Sequence, residues 1–237
     1  MLFLVATPIG NLRDMTLRAL DILKTADVIA CEDTRRTGQL LKHYEIPTSS
    51  PQPSPRTKRL ISFHDYSGPG RVREIVSLLK EGKNVALVSD GGMPLISDPG
   101  FPLVREAVRE GIRVEAIPGP TAITTALAAS GLPSDPFSFF GFLPAKSTQR
   151  KKALTEIASV EHTLVFFESP YRITALLQEM LEILGDREAA LCRELTKKFE
   201  EIVRGTLSEL IPHFGRKKVL GEIVVVVAGK GRKKVFR

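Results

Sequence analysis

The chain reads as an α/β protein made of two α/β domains, a mainly parallel N-terminal sheet and a mixed C-terminal sheet. Three observations predict this. Strand and helix patterns alternate through the first half, which favours parallel strands covered on both faces. The second half ends with two adjacent strand candidates and a final strand, the pattern of a mixed sheet. Two glycine- and proline-rich turns, Ser89 to Gly100 and Ile117 to Ala122, each follow a hydrophobic strand candidate, the position at which an α/β sheet exposes backbone to a ligand.

Taken in order, Leu2-Phe3-Leu4-Val5-Ala6 is a buried-strand run, Leu17, Leu20 and Leu23 keep helical spacing, and Val28-Ile29-Ala30-Cys31 is a second strand. Pro47 to Pro55 holds four prolines and three serines, so it is expected to be a surface loop. Leu60-Ile61-Ser62-Phe63 and Val85-Ala86-Leu87-Val88 bracket a helix carrying Val72, Ile75, Val76 and Leu79, with Gly82 at its C-terminal cap. A helix around Leu103, Val104, Ala107 and Val108 ends at Gly111 before the strand Val114-Glu115-Ala116-Ile117. Beyond it come helix near Thr121 to Ala129, strand Phe137 to Phe142, helix near Leu154, strand Thr163 to Phe167 and helix Tyr171 to Leu184. Strands Ala189 to Leu195, Glu200 to Val203 and Ile223 to Ala228 complete the pattern. The change of character places a domain boundary near residue 115, giving domains 1–115 and 116–237.

The 237 residues are 43% hydrophobic, enough for a packed core. No charged leader with an apolar core opens the chain, and apolar runs such as Ile223 to Ala228 are too short to span a bilayer, so a cytoplasmic location is expected. Cys31 and Cys192 stand apart, outside any CxxC or Cys/His pattern, and are expected to be buried small residues rather than a disulfide or zinc ligands. Lys plus Arg exceed Asp plus Glu by 34 to 27, a net charge of +7, with clusters at Arg150-Lys151-Lys152, Arg216-Lys217-Lys218 and Arg232-Lys233-Lys234. That balance suits phosphate-bearing partners, or simply a solvated basic surface. Aromatic residues are 6% and Trp is absent, which argues against recognition of nucleic acid chiefly by stacking.

The first turn, Ala6-Thr7-Pro8-Ile9-Gly10-Asn11-Leu12, lacks GxGxxG, and no GxxxxGK[ST] loop occurs, so hydride transfer and nucleotide hydrolysis lose their main support. In a parallel sheet the carboxyl ends of strands share one rim, so Glu32, Asp33, Arg35, His64, Asp65 and Asp90 are expected to converge. Asp33 is either a reactive acid or the N-cap of a helix starting at Thr34. His64 is either a base or a hydrogen-bonded structural histidine. The wide spacing of His64, Asp65 and Asp90 gives no reason to expect a metal.

These segments carry a resemblance. Leu4 to Leu12, Cys31-Glu32-Asp33-Thr34-Arg35, Ala86 to Asp90, Ser97 to Gly100, Ile117 to Pro120 and Gly141-Phe142-Leu143-Pro144, in this order, resemble the ribosomal small-subunit RNA methyltransferase I family, a branch of the tetrapyrrole methylase superfamily. Glu168 to Arg172, Arg193 to Lys197 and Gly221 to Val224 extend the similarity over almost the whole chain. The resemblance implies a homodimeric enzyme that binds S-adenosylmethionine between its domains and methylates a cytidine ribose 2′-hydroxyl in 16S ribosomal RNA of the small subunit. It implies cofactor contacts at Ile9, Gly10, Gly91, Gly92, Met93, Ile96, Thr121, Ala122 and Phe167. On the shared rim His64, Asp33 and Glu32 are the candidates for the general base and Arg35 reads as a phosphate or carboxylate clamp, while Lys146, Arg150 and Lys151 begin a helix and either meet RNA phosphates or simply solvate it. Gly92-Met93 departs from the family's usual Ala-Gly-Thr-like turn, and Asp65-Tyr66-Ser67 from its acidic, His and Asn sequence. Two other readings compete. One is the same chemistry on a tetrapyrrole or protein acceptor, which the basic surface and the Glu-Asp-Thr-Arg motif disfavour; the other is a non-catalytic RNA-binding assembly module.

Overall fold

The structure, a computed structural model, describes residues 1–48, 58–64, 66–215, 219–231 and 236. The expected loop beyond Thr48, Asp65, and the basic clusters at 216–218 and 232–234 lie outside the described residues. The chain divides into two units, Met1–Thr121 and Ala122–Arg237.

In the first unit, strands β1 (Leu2–Val5), β2 (Val28–Cys31), β3 (Arg59–Ser62), β4 (Val85–Val88) and β5 (Val114–Ile117) form a sheet in the order β3-β2-β4-β1-β5. Every pairing in it is parallel. Because β5 is the edge strand of this sheet, the unit extends to Thr121 rather than stopping at residue 115. The strands run into helices α1 (Leu17–Thr25), α2 (Thr34–His43), α3 (Gly68–Lys80) and α4 (Phe101–Arg109).

Alternation of side chains along each strand divides the core in two. Leu2, Ala30, Val85 and Leu87 pack with Ile75 and Leu79 of α3 and Leu103 and Ala107 of α4. Val5, Ile29, Cys31, Ala86 and Val88 pack with Ala19 and Leu23 of α1 and Leu41 of α2. The loops leaving the adjacent strands β1 and β4 therefore depart to opposite faces, the arrangement that opens a crevice at the carboxyl end of an α/β sheet. Gly82 and Gly111 follow the last turns of α3 and α4 with φ of 83° and 69°, as expected for glycine just past a helix end.

The second unit begins with α5 (Ala122–Ser130) and contains β6 (Phe137–Phe142), α6 (Ser147–Glu156), β7 (Thr163–Glu168), α7 (Ile173–Leu184), β8 (Glu188–Arg193), β9 (Glu201–Thr206), α8 (Leu207–Gly215) and β10 (Ile223–Val227). Its sheet runs β6-β7-β10-β8-β9; β6 and β7 are parallel and the other pairs antiparallel, so the sheet is mixed. Leu154, Leu176, Leu177, Met180, Leu210 and Phe214 of α6, α7 and α8 pack with Phe166, Leu191, Val225 and Val227.

Both cysteines are buried, and burial raises both thiols, Cys192 to about 12, which leaves them as packing residues. No helix among the described residues is long and apolar enough to cross a membrane.

Candidate active site

Three turns at the carboxyl ends of β1, β4 and β5 are tied together. The Thr7 amide donates to the Gly92 carbonyl at 2.9 Å and the Gly92 amide to the Thr7 carbonyl at 2.8 Å. Thr7 Oγ1 donates to the Ser89 carbonyl at 3.1 Å and Ser89 Oγ to the Gly92 carbonyl at 3.0 Å, with both side chains buried. Gly92 holds φ at 89°, and a Cβ there would lie 3.4 Å from Ile9 Cγ2 and 3.8 Å from the Pro120 carbonyl oxygen. A Cβ at Gly119 would stand 2.7 Å from Ala6 Cβ, closer than two carbons can pack. Glycine is therefore required at both positions, by backbone conformation at one and by close approach at the other.

The second turn also holds Leu95 and Ser97 at φ of 74° and 64°. Such strain in residues other than glycine persists only where the surrounding structure over-determines it, and it concentrates at ligand clamps.

The structure thus brings Ile9, Gly91 and Gly92 into contact distance and sets Gly10, Met93 and Ile96 on the same turns. Gly10, Gly91 and Ile96 are exposed, while Ile9 and Met93 are half-buried, so main-chain groups and apolar side chains lie open together on these turns. Thr121 closes the first unit. Ala122 and Phe167 belong to the second, where the Phe167 ring lies 4.9 Å from that of Phe139 and 5.5 Å from that of Phe142.

Beside these turns, a pocket of about 650 Å³ is lined by Glu32, Asp33, Arg35, Arg36, His64 and Asp90, with Ser62, Tyr66 and Thr34. The expected convergence on the rim is therefore observed for Glu32, Asp33, Arg35, His64 and Asp90, while Asp65 lies outside the described residues. A second pocket of about 250 Å³, reaching Thr7, Pro8 and Ser89, shares Arg36 and Asp90 with the first. Arg36 Nη1 sits 3.0 Å from Asp90 Oδ2, so one ion pair forms the wall between the pockets. Arg36 carried no role in the sequence; its adjacency to Arg35 was the available signal.

Asp33 caps α2, accepting the Arg35 amide at 2.8 Å and pairing with the Arg35 guanidinium at 3.2 Å. Those hydrogen bonds from Arg35 hold its carboxyl below the usual carboxylate range and raise Arg35 in turn. A carboxylate so engaged is a poor base, and the capping role accounts for it. His64 is held by its backbone: its amide donates to Ser67 Oγ at 2.7 Å, and its carbonyl accepts from the Ser67 amide at 2.8 Å. Its ring is exposed, 6.3 Å from that of Tyr66. Among the described residues no group of three His, Cys, Asp or Glu is placed to hold a metal ion.

Arg150 departs from expectation. It is buried, with Nε 2.5 Å from Glu179 Oε2, Nη2 2.8 Å from Oε1 and Nη1 2.9 Å from the Ala145 carbonyl oxygen. One turn separates it from Leu154, so both project from the face of α6 that packs on α7, and no RNA phosphate can reach the guanidinium. Lys146 remains exposed before α6, and Lys151 makes a surface pair with Glu182 at 2.6 Å.

The model of the family described as Tetrapyrrole (Corrin/Porphyrin) Methylases matches residues 1–211. The chain belongs to that family. Within it, the chain is 50% identical to the Ribosomal RNA small subunit methyltransferase I of Thermotoga maritima, over 97% of this chain and 98% of the relative. It is 49% identical to the protein of the same name from Halalkalibacterium halodurans, over 98% of this chain and 77% of the relative. These similarities place it in the ribosomal RNA small subunit methyltransferase I branch.

Among solved structures, the methyltransferase CobJ superposes with a TM-score of 0.69 at 20% identity, covering 99% of this chain and 96% of that one. A uroporphyrin-III C-methyltransferase from Thermus thermophilus, solved with S-adenosyl homocysteine, gives 0.60 at 21% identity, covering 96% of each chain. At these identities the likeness is one of fold.

Proposed function

We propose that this chain transfers a methyl group from S-adenosylmethionine to the ribose 2′-hydroxyl of a cytidine in 16S ribosomal RNA of the small subunit, acting in the cytoplasm as a homodimer. The observation that carries this reading is identity of about one half, over nearly the full length of both chains, with a relative named for methylation of small-subunit ribosomal RNA. The turns fit such a cofactor. Gly92 and Gly119 leave no room for side chains where the three loops meet, while Gly10 and Gly91 leave main chain exposed beside Ile9, Met93 and Ile96. Those residues, with Thr121, would hold the cofactor, which when bound supplies an electrophilic methyl carbon on a sulfonium.

The chain's own contribution is placement and proton transfer. Arg35 and Arg36, both exposed at the 650 Å³ pocket, hold the RNA backbone there; guanidinium stays protonated and presents a planar fork to phosphate. His64 removes the 2′-hydroxyl proton at its imidazole as the oxygen attacks, a contribution worth about 100- to 10,000-fold for a positioned general base. Glu32, on the same pocket wall, is the other candidate for the base, since Asp33 is committed to its helix cap. Holding the acceptor oxygen near the methyl carbon supplies much of the remaining acceleration by proximity.

Incubation with radiolabelled S-adenosylmethionine and small ribosomal subunits, followed by nucleoside analysis, tests the reading. Label is expected in 2′-O-methylcytidine. Label on a base, on a protein or nowhere contradicts it. The cofactor alone should also raise the melting temperature, by binding linkage of about 2.7 kcal/mol at a hundred times Kd.

A further inference from the structure

The second unit carries an exposed aromatic rim that none of the roles above uses. Its sheet register sets Phe142 beside Phe167, Glu168 opposite Ile223, Ile223 opposite Arg193 and Arg193 opposite Glu201. The ends of β6, β7 and β8 and the starts of β10 and β9 therefore share one end of the sheet. There Phe142, Tyr171 and Phe199 are 57%, 83% and 67% exposed. Solvent-facing aromatics gathered on one edge mark an interaction surface. Low aromatic content argues against stacking as a mode of recognition, but a few rings suffice when strand register collects them.

The charges on this rim identify the partner. Its carboxylates pair internally: Glu168 with Arg172 through Oε1, its Oε2 being buried without a hydrogen-bond partner, Glu194 and Glu222 with Lys197, and Glu201 with Arg193 and His213. Glu200 accepts the Thr196 amide at 2.6 Å. Lys146 and Lys198, by contrast, have no carboxylate partner among the described residues. Lys198 Nζ sits 5.6 Å from the centre of the Phe199 ring. A contact between copies of a chain would favour a continuous apolar core depleted of charge. Exposed rings on one rim together with cations that no carboxylate answers instead suit the bases and phosphates of a single strand.

The rings stand on fixed backbone. Glu194 and Thr196 hold φ of 52° and 66° in the turn preceding Phe199, and Lys197 braces it by bonding Glu194 at 2.8 Å and Glu222 at 3.0 Å. The turn carrying Tyr171 is closed by the Arg172 amide donating to the Ser169 carbonyl at 3.0 Å. A platform held in place before binding loses little entropy when it binds.

We propose that Tyr171 and Phe199 stack unpaired bases of the acceptor RNA, with Lys146 and Lys198 taking the flanking phosphates. The proposal rests on the reading of the chain as an RNA methyltransferase.

The test combines anisotropy of a short fluorescein-labelled oligocytidylate, methylation kinetics on small ribosomal subunits, and calorimetry with S-adenosylmethionine. Tyr171→Ala and Phe199→Ala should each raise Kd and KM about tenfold, with cofactor affinity as in the parent, while Tyr171→Phe and Phe199→Trp keep near-parent values. Lys198→Ala should lower the slope of log Kd against log salt by about 0.7. Parent-like Kd and KM in both alanine variants would overturn the platform while methylation by the parent stands. Alanine variants that lose the dimer on light scattering but keep their RNA affinity would overturn it too, assigning the rim to contact between copies. A parent that methylates no RNA overturns the functional reading itself, and the platform with it.

Discussion

Arg36 and Arg150 both lie in the first turn of a helix that follows the carboxyl end of a strand, and both belong to short basic runs. Arg36 keeps its side chain 68% exposed while pairing with Asp90 at a pocket wall, whereas Arg150 and Glu179 have side chains only 5% and 9% exposed. The difference lies in what covers each helix. Residue 150 of α6 faces α7, which brings a carboxylate to meet it, while residue 36 of α2 faces the open ends of the first sheet. A basic residue near a helix start therefore marks a phosphate site only if no neighbouring helix claims it.

The largest effect that could break this comparison is on stability. Arg150→Met leaves Glu179 buried without its partner and should cost about 3–5 kcal/mol in denaturant unfolding, with RNA affinity unchanged. The double variant Arg150→Met/Glu179→Met should recover most of that loss, because two well-packed apolar side chains replace a buried pair at little cost.

Acid should then shrink the penalty of the single variant. In the parent, burial pushes the Glu179 carboxyl up, but hydrogen bonds from Arg150 and Ser147 outweigh it and hold the group below its ordinary value. Its stabilisation is therefore complete above the unfolded pKa of about 4.3 and is lost as pH falls through the lower folded value. In Arg150→Met burial is opposed only by the Ser147 hydrogen bond and the nearby Lys151 charge, so Glu179 protonates at higher pH than in the parent and the stability deficit narrows between neutral and mildly acid pH. A deficit constant with pH would mean that an uncompensated charge is not its cause.

Arg36→Ala should show the opposite profile. Its exposed pair contributes under about 1 kcal/mol to stability, yet KM for small subunits should rise about tenfold, the loss expected for one hydrogen bond to a charged group. The smallest effect belongs to Lys151→Ala, whose surface pair with Glu182 is worth under about 1 kcal/mol. There the salt slope of RNA binding should fall by about 0.7 if Lys151 meets a phosphate and stay level if it only solvates α6.

Much of the fold is legible in the sequence because its signals are local. Apolar runs mark β1, β2, β4 and β10, glycines follow α3 and α4, and Asp33 caps α2. Helix α8 is not legible, because Pro212 inside it reads as a helix breaker, and the domain boundary slips because Val114–Ile117 looks the same whichever sheet it joins. At the site, parallel strands place Glu32, His64 and Asp90 on one rim by topology alone. The burial of Arg150 and the gathering of Tyr171 with Phe199 depend on which helix packs where and on antiparallel register, and composition carries neither.

His64→Ala and Arg150→Met, compared side by side for kcat on small ribosomal subunits and for unfolding free energy, test the proposed division between rim pocket and packed helix most directly. The expected result is that His64→Ala lowers kcat about 100-fold and moves stability by no more than about 0.5 kcal/mol, while Arg150→Met loses stability and, assayed below its transition, turns over at the parent rate. A His64→Ala protein with parental kcat, or an Arg150→Met protein that is stable but inactive, would contradict the account.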